Sequence, residues 1–136
     1  MLEQWEADRL LRAGKLYSHG LVVDLSDGAD NDYQVETVDG DEFFLLDVRG
    51  PGRNPRKVRF QLRYRRTIVL ARMCVANPHS NPDGELIPAP HFHEYVEGFD
   101  DRVAQYVDSL TSNEEALLWF CDKIKLPAPT MRGGLR

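Results

Sequence analysis

The plainest pattern in the chain is the alternation over residues 57–65. Val58, Phe60, Leu62 and Tyr64 share one side, while Lys57, Arg59, Gln61, Arg63 and Arg65 share the other. That is the period of a strand with one face on a core and the other in water. Residues 67–75 follow as a more apolar strand, suited to the middle of a sheet. Upstream, residues 33–38 alternate loosely, and Asp39-Gly40 is a hairpin signal leading into a strand over residues 42–49. Residues 19–25 are short and apolar, readable as a strand or an extended lead-in, and residues 26–31 have turn composition. Residues 87–96 form a last extended segment, interrupted by Pro88 and Pro90.

A helical period appears only near the ends. Leu2, Trp5, Leu10 and Leu11 make one stripe, with Gly14 as a stop. Residues 99–110 open with Asp100 and Asp101, acids that suit a helix N-terminus, and predict a second helix. Thr111 or Ser112 can cap a third, with Glu114 or Glu115 completing the box and Ala116, Leu117, Phe120 and Ile124 as its buried stripe. Pro127 and Pro129 end it, leaving residues 126–136 as a loose tail. The expected fold is a single α+β domain over residues 1–136. It has an antiparallel sheet of four to six strands, an N-terminal helix and two C-terminal helices.

Length agrees with one core: 136 residues, 42% hydrophobic and 29% charged, fit one globular domain. The apolar runs are far shorter than the roughly 20 residues a membrane span needs. The first residues are acidic and lack an apolar signal core, so the expectation is a cytoplasmic protein with no membrane partner. Cys74 and Cys121 follow no metal spacing and read as reduced and partly buried.

The net charge of −5 conceals a segregation. Residues 16–48 hold nine acids and no Lys or Arg, whereas residues 49–82 hold nine basic residues and no acid. A block of one sign is a footprint for the other sign. The complement is either a phosphate-bearing ligand such as RNA, or a partner protein, or the acidic segment itself, paired across neighbouring strands.

Three of the four histidines fall in residues 79–97. If residues 91–97 are extended, His91, His93, Tyr95 and Glu97 point to one side. His79 lies on the preceding loop with Asp83, a loop able to fold back over that face. Two chemistries suit such a cluster. A divalent metal could take His79, His91 and His93 as ligands, with Asp83 or Glu97 as the fourth ligand or as a base. Alternatively, His79, His91, His93 and Tyr95 could supply acid–base catalysis without a cofactor. Phosphate would then be held by Arg59, Arg63, Arg65 and Arg72, whose guanidinium forks match phosphate oxygens. A structural alternative stands beside both: Asn81-Pro-Asp-Gly is a tight turn, and histidines can simply fix such a loop by hydrogen bonds.

The run Leu70-Ala-Arg72, then His79-Ser-Asn-Pro-Asp-Gly84, then Pro90-His91-Phe-His93-Glu-Tyr95-Val-Glu97-Gly-Phe-Asp-Asp101 resembles a family of small bacterial and phage proteins of unknown function. The resemblance runs from about Arg59 to the C-terminal helix. The chain departs from it at Arg102-Val103, where a large residue such as Trp is expected, and at Phe92 and Glu94, which replace aliphatic residues. The resemblance implies a fold and a motif more than an activity. His91-x-His93-x3-Glu97 also resembles the metal-ligand run of the cupins, although the second cupin motif is missing. More remotely, the Pro-His-x-His ending is similar to toxin components of bacterial toxin–antitoxin pairs, many of which are ribonucleases. Together these readings give three expectations. One is a toxin-like ribonuclease or other phosphodiester-acting enzyme, another a non-catalytic module binding a partner through its charged sheet face, and the third a histidine-ligated metal protein.

Overall fold

The computed structural model describes residues 1–20 and 22–133. The order is α1 (Gln4–Arg12), β1 (Lys15–Tyr17), β2 (Val22–Leu25), β3 (Asp30–Thr37), β4 (Phe43–Arg49), β5 (Arg59–Tyr64), β6 (Ile68–Cys74), β7 (His79–Ser80), β8 (Leu86–Ile87), β9 (His91–Glu94), β10 (Ala104–Tyr106), α2 (Asn113–Lys123) and β11 (Thr130–Gly133). Seven strands form one antiparallel sheet in the order β1-β3-β4-β5-β6-β9-β10. Two further ribbons are small: β2 with β11 in parallel, and β7 with β8 as a hairpin.

The expected sheet of four to six strands with two C-terminal helices is therefore wrong on both counts. Among the described residues there are seven strands in the main sheet and one C-terminal helix. The acidic start at Asp100 and Asp101 does not open a helix. Asp100 and Ser109 have left-handed backbones (φ 54° and 66°), as does Gly98, which interrupts helical progression. Between them, Ala104–Tyr106 extends to pair with the free edge of β9. An open sheet edge is a stronger demand than the weak helical preference of this stretch. The expected loose tail is also partly ordered, since Thr130–Gly133 pairs with Val22–Leu25 and Arg132 meets Asp24 at 3.1 Å. The rest of that tail, residues 134–136, and Leu21 of the lead-in lie outside the described residues.

Both helices lie over one face of the sheet. Ala7, Leu10 and Leu11 of α1 and Ala116, Leu117, Phe120 and Cys121 of α2 are buried there with Val48, Phe60, Met73 and Phe92. Phe120 meets both Phe60 and Phe92 at 6.0 Å between ring centroids, and Trp119 meets Phe92 at 5.2 Å. Ser112 caps α2 by accepting from the Glu115 N–H at 3.0 Å. Glu3 and Glu6 form a reciprocal box at the start of α1.

The opposite face of the sheet is polar. Because side chains alternate and the register is antiparallel, two rows run across it. Asp30, Arg49, Arg59, Cys74, His91 and Tyr106 are successive cross-strand partners, as are Asp32, Asp47, Gln61, Arg72, His93 and Ala104. The segregated charges meet on these rows. Arg63 makes a two-pronged bond to Asp47, with Nε to Oδ2 at 2.6 Å and Nη2 to Oδ1 at 2.8 Å, and also reaches Asp32 at 3.5 Å. Arg49 reaches Asp30 at 3.9 Å. Two members of the basic block, Arg49 and Arg63, are thus answered by the acidic block folded alongside.

Candidate metal centre

The histidines converge where β6, β9 and the β7–β8 hairpin meet. His91 and His93 are cross-strand partners of Cys74 and Arg72, and all four share the polar face. The hairpin is fastened over them by Asn81, whose amide donates to the Ala104 carbonyl at 3.0 Å and accepts from the Ala104 N–H at 2.9 Å. This places His79 beside the other two. The ring centroids stand 4.5 Å apart for His79 and His93, 4.9 Å for His91 and His93, and 5.7 Å for His79 and His91. Cys74 Sγ and one nitrogen each of His91 and His93 all lie within 4.8 Å of one another.

The hydrogen bonds settle which nitrogens carry protons. A carbonyl oxygen can only accept, so the ring nitrogen facing it must be the donor and the other keeps a lone pair. His79 Nε2 lies 2.7 Å from the Arg102 carbonyl, and His93 Nδ1 lies 2.8 Å from the Asp101 carbonyl. The buried His91 Nδ1 has no hydrogen-bond partner. His79 and His93 are thus each held by a backbone carbonyl, with Arg72 Nη2 3.4 Å from the second nitrogen of His93. Second-sphere bonding of this kind commonly orients histidine ligands of metals.

Burial favours the neutral form of His91 and His93. His91 is 2% exposed and His93 fully buried. Desolvation, with the Arg72 charge and the neighbouring rings, pushes the His93 pKa down to about 3. Desolvation, His79 and Arg72 also lower that of His91. Neutral imidazole is the ligating form, and neither buried ring is available as an imidazolium acid near neutral pH.

Arg72 stands against the cluster, its Nη2 3.2 Å from His93 Nδ1 and 3.4 Å from Nε2. Its charge opposes a bare dication. The Asp101 carboxylate, 3.5 Å from Arg72 Nε, offsets it without a well-aligned hydrogen bond, since Nε has no hydrogen-bond partner. A Cys74 thiolate would supply a further negative charge next to a metal.

Tyr95 and Glu97 are elsewhere. The strand ends at Glu94, so alternation cannot carry past it. Tyr95 is buried beneath the start of α1, where its hydroxyl donates to the Leu2 carbonyl at 2.7 Å and accepts from the Leu2 N–H at 3.0 Å. Glu97 accepts from the Gln4 N–H at 2.8 Å, on the first turn of α1. Asp83 caps its own turn by accepting from the Glu85 N–H at 2.9 Å. Of the four arginines, Arg72 alone touches the histidines. Arg63 is held by Asp47, Arg65 lies over the Tyr64 ring at 5.0 Å, and Arg59 is exposed on the strand next to Cys74. Cys74 is the residue that sequence spacing did not reveal. Its signal was parity: Cys74 and Arg72 share one face of the strand beside the histidines.

The fold and the cluster define a two-helix, antiparallel-sheet protein with a Cys/His group gathered on its polar face. The chain belongs to a family of unknown function, DUF6978, whose sequence model matches residues 2–126. Neither a curated protein nor a solved structure matches. No helix among the described residues is long and apolar enough to cross a membrane.

Proposed function

We propose that this protein binds a divalent transition metal, of which zinc suits the donor set best. Cys74, His91 and His93 are three ligands and His79 on the hairpin is the fourth. Mixed thiolate–imidazole donors select zinc over magnesium or calcium, which prefer oxygen. The observation carrying this reading is the gathering of the imidazoles beside a thiol. His79 and His93 are each anchored to a backbone carbonyl, His91 Nδ1 is buried without a partner, and one nitrogen each of His91 and His93 lies with the Cys74 thiol in a group within 4.8 Å. Ligands on a tetrahedral zinc stand about 3.3–3.8 Å apart, so for Cys74, His91 and His93 a closing of about 1 Å suffices, and His79 completes the set by a shift of the hairpin. Four protein ligands leave no open position, which makes the role structural: the ion ties the β7–β8 hairpin to β6 and β9. A nuclease reading finds less support, because Tyr95 serves α1 and Arg63 is committed to Asp47.

Metal analysis and a cobalt titration test this. The protein should retain about one zinc per chain, and cobalt should give the thiolate-to-metal absorption band of a tetrahedral Cys/His site. Cys74→Ser should abolish that band, and His91→Ala should lower affinity by at least about tenfold. Absence of stoichiometric zinc or cobalt binding at micromolar metal would overturn the reading.

A further inference from the structure

The main sheet carries a second concavity, apart from the cluster of His79, His91 and His93. It is a cavity of about 500 Å³ lying over β3, β4 and β5 and the turn after β5. Its floor is partly apolar: Phe43, 61% exposed, and Leu45 stand on β4 with no helix over them. Its rim holds His19, Arg63, Arg65 and Arg66.

The turn is unusual. Arg65 and Arg66 both have left-handed backbones (φ 51° and 64°), a conformation that Gly, Asn and Asp adopt at far lower cost. Two consecutive non-glycine residues held there are a strained pair, and strain of this kind concentrates at ligand clamps. It is braced from outside the turn, since Arg63 Nη1 donates to the Arg66 carbonyl at 2.9 Å. Arg65 and Arg66 both line the cavity. Neither is in an ion pair among the described residues: Arg65 rests on Tyr64, and the Arg66 side chain has no charged partner. Glu36 also lines the cavity, and the two arginines outweigh its single charge.

We propose that this cavity binds a mononucleotide-sized ligand, with a phosphate on Arg65 and Arg66 and a planar ring against Phe43. Forked guanidiniums without an ion-pair partner select phosphate. An exposed aromatic beside them selects a flat ring through stacking. The size falls within the range of small-molecule pockets. A single nucleotide, rather than a nucleic-acid strand, follows from the charges next door. Beyond the cavity, the face carries Arg49–Asp30 and the Arg63 bonds to Asp47 and Asp32, and the single exposed Arg59 beside them is too little cationic track for a polymer backbone.

The test is calorimetric titration of the full chain with adenosine monophosphate, adenosine, inorganic phosphate and a short single-stranded oligonucleotide. The variants are Phe43→Ala and the double variant Arg65→Asn, Arg66→Gly. Adenosine monophosphate should bind more tightly than adenosine or phosphate alone. The double variant should bind it at least about tenfold more weakly. It should also melt at a higher temperature than the wild type, because Asn and Gly relieve the left-handed strain. That opposite movement of binding and stability separates lost contacts from lost folding. Phe43→Ala should weaken the nucleotide and leave inorganic phosphate unchanged. The proposal is overturned if the wild type shows no binding at millimolar nucleotide, if the double variant binds equally well, or if the oligonucleotide binds far more tightly than the monomer.

Discussion

Lys15 shows how much one buried polar residue can organise. Its ammonium donates to the carbonyls of Leu11 at 3.1 Å, Ala13 at 2.9 Å and Ile124 at 2.8 Å. Two of these lie at the end of α1 and the third is the C-cap of α2, so one cation closes both helices at their negative ends. Lys15→Met should cost about 1–3 kcal/mol in denaturant unfolding at neutral pH, because buried carbonyls lose their donor. Burial and neighbouring Lys125 hold the Lys15 pKa down to about 8, against 10.5 for the free side chain. Between those values the unfolded chain keeps the proton and the folded chain does not, so stability from this residue rises with pH. The wild type should therefore gain on Lys15→Met as pH rises from about 8 to about 10.5. A constant difference across that window would contradict it. Nothing in the spacing around Lys15 marks this role, because its acceptors come from residues as distant as Ile124.

Among elements, the segment from β9 to β10 divides into two jobs. In its first half, His91 and His93 face the polar side and build the cluster. Its second half turns away to hold the N-terminus through Tyr95 and Glu97. The two halves should separate experimentally. Tyr95→Phe leaves the Leu2 N–H and carbonyl without their partner and should cost about 1–3 kcal/mol of stability, with metal affinity unchanged. Equal loss of metal binding would show that Tyr95 serves the site. The strands most readable in advance were β5 and β6, where a buried face or a run of Ile, Val and Leu imposes a local pattern. The stretch over residues 99–110 was not readable, because its extended form depends on the vacant edge of β9.

At the scale of the whole molecule, the proposed ion would join parts that share little else. The hairpin buries Ile87, and its side-chain hydrogen bonds to the body are those of Asn81 with Ala104 and of His79 with Arg102. Zinc at 100 times its dissociation constant should stabilise the fold by about 2.7 kcal/mol. Chelation should lower the melting temperature accordingly, and hydrogen exchange should quicken first at β7 and β8. If chelation leaves both unchanged, the ion has no structural role.

What the sequence determined by itself was local. Alternation gave strand faces, caps and stripes gave α1 and α2, and the density of histidines marked where side chains of one chemistry gather. Tertiary structure decided the partners. It brought Cys74 to His91 by register, took Tyr95 and Glu97 away by ending a strand at Glu94, and answered Arg63 with Asp47 from the neighbouring strand. The division has one physical reason. Periodicity records which way a side chain faces within its own element, whereas a site is made by which elements are neighbours, and that depends on edges and cores assembled from the whole chain.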